Sequence, residues 1–560
     1  MVKKIISVML ATLFATSLVA CGRTGGGIDD EEVDETKTQL YISNFDGGFG
    51  SQWLYSVKDR FESDYANYKG ADGKVGVQIF IDKTKDNANT ILDAAAISRD
   101  EIFFVENFLY YDAISRGLAM DISDIVTEDI EGEGKSIEDK LTVTQQSYYK
   151  YSDGKYYGLP HYESFFGIIY DVDMFEEELL YFADEVDNGN DGFILSLDDD
   201  FSTGPDGEYN TYDDGLPSTY AEFYKLCEKM QDLGITPVSW TGQYQDYAAR
   251  LCSSLHAAYE GEEQMYLNYS LNGTATHLVD SIDDNGNVVL SEPQAITNTN
   301  GYLLQKQAGK YYAISFLEKM IDENWYTTSS FSNAQSHTQA QEDFLYGRLS
   351  SKKEHIGMLF EGIWWENEAD GVFADMSKMY TEAKAGRYSR RLGFMPMPKA
   401  PGQALGKTTL IDDLYSGCFI KSNISSEKVE IAKEFVKYCN TDKSLVEFSK
   451  LTSTPKALEY EISENDLKDL SYFGRNIFEV RKNANMVYPV SNNLLVNSSL
   501  LKFKGVYAWT TNVSGMLYAS ETIAKTIKNN NIGAKAYFEG LAKNTTKSSW
   551  ESAYSRFFQY

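Results

Sequence analysis

The chain of 560 residues carries 83 acidic and 51 basic side chains, a net charge of −32. Such a charge repels nucleic acid and anionic membrane surfaces and favours a neutral or cationic ligand. With 14% aromatic residues, 40 tyrosines and only 10 prolines, the composition is that of a folded protein, and the length accommodates two or three lobes with their own cores.

Lys3 and Lys4 precede an apolar run from Ile5 to Leu18, the charged and apolar parts of a secretory signal. Leu18, Val19, Ala20 and Cys21 match the lipobox that is cut before a lipid-modified cysteine. Residues 1–20 are therefore expected to be removed, leaving Cys21 as a lipid anchor on the outer face of a bacterial cytoplasmic membrane. The run falls short of the roughly 20 apolar residues of a membrane-spanning helix. Residues 21–37 contain three successive glycines and an acidic cluster from Asp29 to Glu35, which read as a self-repelling, flexible tether.

From Thr38 onward strand and helix patterns alternate. Gln39 to Ser43 reads as a strand, and Trp53, Val57 and Phe61 recur at helical spacing. Val75 to Ile81 alternates as a strand, and a helical segment around Ile91 to Ile97 leads to the apolar run Ile102 to Val105. This βαβαβ start predicts an α/β fold with a mostly parallel sheet. After Pro160 a second α/β region begins, in which Thr219 and Glu222 form a capping box. Phe223, Met230 and Leu233 share a stripe, Gly234 ends that helix, and Ile235 to Ser239 is the next strand. Further helices are predicted at 308–324, 427–439 and 516–529.

An acidic insertion spans 184–215. Asp187, Asp191 and Asp198 stand at positions 1, 5 and 12 of an EF-hand-like loop with Gly192 at the sixth, although Gly189 supplies no ligand at the third. With Asp206, Asp213 and Asp214 nearby, this segment is a candidate structural Ca²⁺ site, the alternative being a solvated acidic loop. Cys227, Cys252, Cys418 and Cys439 match no metal or redox spacing. Cys227 and Cys439 lie on apolar helix stripes, as buried thiols do.

Five segments then occur in a telling order. Asp153 to Pro160 (D-G-K-Y-Y-G-L-P) is followed by Phe166 to Phe175, with Asp171 where asparagine is usual. Leu216 to Trp240 carries the capped helix and strand. Phe344, Gly347, Gly357, Met358, Gly362 and Trp364 come next, then Gly393 to Pro398, then the helix at 427–439. Together they resemble the extracellular solute-binding proteins of family 1, the maltose-binding-protein type. The resemblance implies a two-lobe, periplasmic-binding-protein-like fold, with lobes at 38–160 plus 400–475 and at 161–399 plus 476–560. It places hinge crossings near Pro160, 399–411 and 473–489. It also implies a monomeric, non-enzymatic lipoprotein that closes on an oligosaccharide between its lobes and delivers it to the permease of an ABC importer.

Sugar recognition needs flat rings for C–H faces and polar groups for hydroxyls. Trp240 ends a strand and is expected to face the cleft. Trp364 and Trp365 occupy the family's stacking position, and Trp509 lies in a looser counterpart. Glu163 follows the first crossing, and Asn44 and Asp46 close the first strand. Catalysis has little support: His161, His256, His277, His337 and His355 show no zinc spacing, and neither a nucleophile elbow nor a phosphate loop is present. A surface glycoside hydrolase, with Glu361 and Glu366 as its carboxylate pair, and a polysaccharide-adhesion module are the alternatives.

Overall fold

The computed structural model describes residues 31–184, 192–498, 500–501 and 508–558. Strand β1 (Thr38–Phe45) buries Leu40 and Ile42 completely. Helix α1 (Gln52–Asp64) returns over it, burying Trp53, Leu54, Val57 and Phe61 on one stripe. Strand β2 (Val77–Thr84) lies parallel to β1, and helix α2 (Ala88–Ala95) leads to β3 (Ile102–Val105), parallel to β1 on its other side. This is the expected βαβαβ unit. Helix α3 (Tyr110–Ser115) and the short β4 (Leu159–Pro160) complete the first pass through this lobe.

The chain then enters a second sheet through β5 (Phe166–Asp171), buried along its whole length. Helix α4 (Tyr220–Asp232) carries the predicted capping box, with Thr219 accepting from the Glu222 amide and Glu222 reaching back. Gly234 follows in the left-handed conformation at φ 76°. Leu233, expected on the apolar stripe, is 45% exposed, because the helix has ended there. Strand β6 (Thr236–Ser239), the long helix α5 (Tyr247–Ser270), helix α6 (Ala308–Asp322), β7 (Ile356–Gly362) and β8 (Leu392–Met395) follow. The sheet order is β8-β5-β7-β6, with β5 antiparallel to both neighbours.

The return passes through β9 (Thr409–Ile411) to β10 (Gly417–Ile420), which completes the first sheet in the order β2-β1-β3-β10-β4. Helices α7 (Val429–Cys439) and α8 (Asp442–Thr452) pack on α1. Helix α9 (Tyr472–Asn483) packs instead on β8, where Asn476 Oδ1 accepts from the Phe394 amide at 2.7 Å. Phe473, Ile477 and Val480 are buried on that helix, so the chain already packs against the second lobe at the start of the expected 473–489 stretch. Strand β11 (Asn485–Val487) pairs in parallel with β9 as a hinge ribbon. Helix α10 (Ala534–Asn544) packs on α6.

The helix predicted at 516–529 is in part a hairpin, with Thr511–Val513 antiparallel to Met516–Tyr518 and a helix only over Ile523–Asn530. Ser514 and Gly515 both take positive φ, 53° and 86°, which makes a tight turn that breaks the helix. The four cysteines among the described residues, Cys227, Cys252, Cys418 and Cys439, are free and buried. Cys21, Asp187 and Asp191 lie outside the described residues. Within the insertion Asp213 is fully buried and accepts from the Asp206 amide and the Thr211 hydroxyl, while Asp214 accepts from the Asn210 and Thr211 amides. The Asp198 amide is hydrogen-bonded to Ser196. Among the described residues no group of three or more His, Cys, Asp or Glu is arranged to hold a metal, and no helix is long and apolar enough to cross a membrane.

Candidate functional site

The three hinge crossings are tied by a polar knot. Glu163 is fully buried, and its carboxylate accepts from Arg481 Nε at 2.6 Å and Nη2 at 3.0 Å, with Tyr488 donating a further bond. Beside it the Ser164 amide and hydroxyl donate to Asp412 Oδ1 at 2.9 and 2.7 Å. Burial pushes the Asp412 carboxyl up to about 7. Glu163, expected to meet ligand, is thus committed to the hinge, since a buried carboxylate requires a partner.

At the front of the cleft the loop after β1 touches the second lobe. Asn44 Nδ2 donates to Ser51 Oγ at 3.0 Å, and Ser51 Oγ donates to Asp46 Oδ1 at 2.6 Å. Both expected polar residues therefore brace the loop that presents Gly48 and Phe49. The Trp364 indole lies between two glycines. A Cβ on Gly48 would stand 2.4 Å from its Cδ1, and one on Gly362 would stand 2.1 Å from its Cη2. Phe49 lies 6.4 Å from Trp364 and stacks on Tyr162 at 3.9 Å, ring centre to ring centre. The Tyr162 hydroxyl donates to Glu106 Oε1 at 2.5 Å. Burial raises the Glu106 carboxyl to about 7, against the opposing effects of that hydrogen bond and the Arg250 charge.

Deeper in, a cavity of about 140 Å³ lies between α3, the α5–α6 pair and the hinge segment Ile411 to Tyr415. Phe108, Tyr110 and Tyr111 line it from the first lobe, and Tyr269 and Trp509 from the second. The Trp509 ring is fixed by its Nε1 donating to Ser253 Oγ at 2.9 Å. Polar groups among the walls include Asn268, Lys310, Asp412 and Asp413, the last ion-paired with Arg250.

Trp240 and Trp365 do not line this cavity. Trp240 stacks on Phe360 at 5.7 Å and packs edge-on to Phe331 in the core of the second lobe. Trp365 is enclosed by Phe344, Phe373 and Phe473. Adjacent side chains at a helix start diverge by about 100°, so Trp364 and Trp365 cannot share a face. Glu366 is ion-paired to Arg387 at 2.9 Å and accepts from Ser471, while Glu361 accepts from Gln341 and the Gly362 amide. Neither lines the cavity.

Residues 50–445 match the bacterial extracellular solute-binding protein family. The chain belongs to that family. No curated protein matches it. Among solved structures it is similar to a chitin oligosaccharide binding protein, at TM-score 0.56 and 14% identity, with 93% of this chain and 99% of that one covered. It is similar to the solute-binding protein RafE in complex with raffinose, at TM-score 0.52 and 12% identity over 90% and 98%. It also resembles the MsmE binding protein of Bacillus subtilis in an open conformation, at TM-score 0.52 and 11% identity over 93% and 99%. At these identities the likeness is one of fold: two α/β lobes around a cleft. Several walls of this solute-binding protein's cleft escaped sequence reading. Gly48 and Gly362 matter by what they lack, and Lys310 hides on a helix whose other buried positions are apolar. The Tyr110–Tyr111 pair was the one signal available, as two adjacent rings opening a short helix.

Proposed function

We propose that this protein captures a carbohydrate, an oligosaccharide, by hinge closure and delivers it to the permease of an ABC importer while tethered through a lipid on Cys21. The observation that carries the reading is the aromatic interlobe cavity, in which the half-buried rings of Tyr111 and Tyr415 stand beside polar groups such as Asn268 and Asp413. The relatives of like fold whose titles name chitin oligosaccharide and raffinose support the same ligand class. Structural calcium in the acidic insertion belongs to the proposal, and a chelator that lowers the melting temperature is its test. The main experiment is a thermal-shift panel of plant, starch and host oligosaccharides. A ligand present at a hundred times its Kd stabilises the folded state by about 2.7 kcal/mol. No shift with any carbohydrate would reject the sugar assignment, and shortened products would favour a hydrolase.

A further inference from the structure

The acidic stretch expected as part of a tether divides at Glu31. From that residue onward it is fastened to the first lobe at several points. Lys58, on α1, is only 3% exposed, and its Nζ meets Glu31 Oε1 at 2.6 Å. The Gln78 side chain, buried on β2, clasps the backbone in both senses. Its Oε1 accepts from the Asp34 amide at 2.8 Å, and its Nε2 donates to the Glu32 carbonyl at 2.9 Å. Gln39 Nε2 donates to the carbonyls of Asp34 and Lys37, at 2.6 and 2.5 Å. Asp34 Oδ1 accepts from the Thr36 amide and hydroxyl, which turns the chain, and the Thr36 carbonyl accepts from the Val75 amide at 3.0 Å. Each polar atom of a buried glutamine amide is thus satisfied by this segment. These bonds offset the repulsion that an acidic segment meets on a chain of net charge −32.

The fastening lies at the pole of the first lobe far from the cleft. Strand β1 begins at Thr38, directly after the fastened residues, and ends at Phe45, beside the loop in which Gly48 meets Trp364. Its eight residues, at roughly 3.3 Å each, put about 25 Å between the two ends. We infer that Glu31 to Lys37 is a fixed strap which makes this pole the point of attachment, so that the anchored protein is held to the membrane by the far end of its first lobe. The inference rests on the reading of Cys21 as the lipid anchor and deepens it. Ten residue steps separate Cys21 from Glu31 and seventeen separate it from Thr38. At about 3.5 Å per step, the strap cuts the longest reach of the anchor from about 60 Å to about 35 Å. A shorter reach raises the effective concentration of the protein at a permease in the same membrane.

Two measurements on the full lipid-modified chain test this. In hydrogen exchange, peptides covering 31–38 are expected to exchange at least tenfold more slowly in the wild type than in Gln78→Met, with α1 peptides alike in both. Should Gln78→Met fail to fold, Glu31→Gln alters a half-exposed side chain on the strap itself and speeds the same peptides. Exchange in the wild type as fast as in an isolated peptide of that sequence overturns the strap. In vesicles with acceptor-labelled headgroups, a donor dye is placed on Ala71→Cys, exposed beside the strap, or on Ser351→Cys, exposed before β7 at the far pole of the second lobe. The four buried thiols stay unlabelled. Energy transfer is expected to be at least twofold more efficient from position 71, and the difference to shrink in Gln78→Met. Equal transfer from the two positions overturns the orientation. A chain that does not float with the vesicles overturns the anchor reading and the orientation with it, while hydrogen exchange still decides the strap.

Discussion

Arg481 grips Glu163 through two nitrogens, at 2.6 and 3.0 Å, and so joins helix α9 to the first hinge crossing. Arg481→Met leaves a fully buried carboxylate without its cation, a change that typically costs about 3 to 5 kcal/mol. Adding Glu163→Gln removes the charge left behind and recovers part of that loss. Urea unfolding of both variants measures it, and a single variant as stable as the wild type would show the pair to be dispensable.

Gly48 admits the Trp364 indole at a distance no side chain tolerates. Gly48→Val is expected to hold the lobes apart, with a larger radius of gyration in small-angle scattering and at least tenfold weaker ligand binding. The melting temperature should change little, since the loop itself is braced by Asn44, Asp46 and Ser51. Unchanged scattering would show that the loop yields instead.

The four tryptophans named by sequence should separate into two classes. Trp240→Ala and Trp365→Ala remove core rings and are each expected to cost about 3 to 5 kcal/mol. Trp509, fully buried with its Nε1 bonded to Ser253, should behave like them, whereas Trp364→Ala, at the lobe boundary, should cost less stability relative to its effect on sugar affinity. Parallel melting and titration experiments on the four variants decide it.

Four carboxyls, Glu106, Asp213, Glu368 and Asp412, are raised by burial to about 7. Between the ordinary carboxylate range and pH 7 the folded chain thus binds more protons than the unfolded one, so their contribution to stability falls as pH rises through that window. Lys310, pushed down to about 7, acts in the opposite sense above it. The melting temperature is expected to drop between pH 5 and 7, and Glu368→Gln to flatten that drop. A flat profile in the wild type would refute the assignment.

The fold was legible because its signals are local. The Thr219 capping box, the stripe of Trp53, Val57 and Phe61, and the runs that became β1 to β3 each declare an element within a few residues. The cleft was legible only in part. Sequence names a tryptophan but not its neighbours, and it is the Phe360 ring that places Trp240 in the core and the two glycines that seat Trp364 at the lobe boundary. Glu163 reads as a polar side chain beside a hinge, and its partners stand 318 and 325 positions away. Separations of that size are invisible to any pattern read along the chain.

The four buried thiols bear on how this solute-binding protein responds to reductant. Burial pushes the Cys418 thiol up to about 11, so that almost none of it is thiolate at neutral pH, and thiolate is the form that reacts. Once folded, the described chain offers no sulfur for exchange. With no disulfide among the described residues, the melting temperature is expected to be the same with and without a thiol reductant.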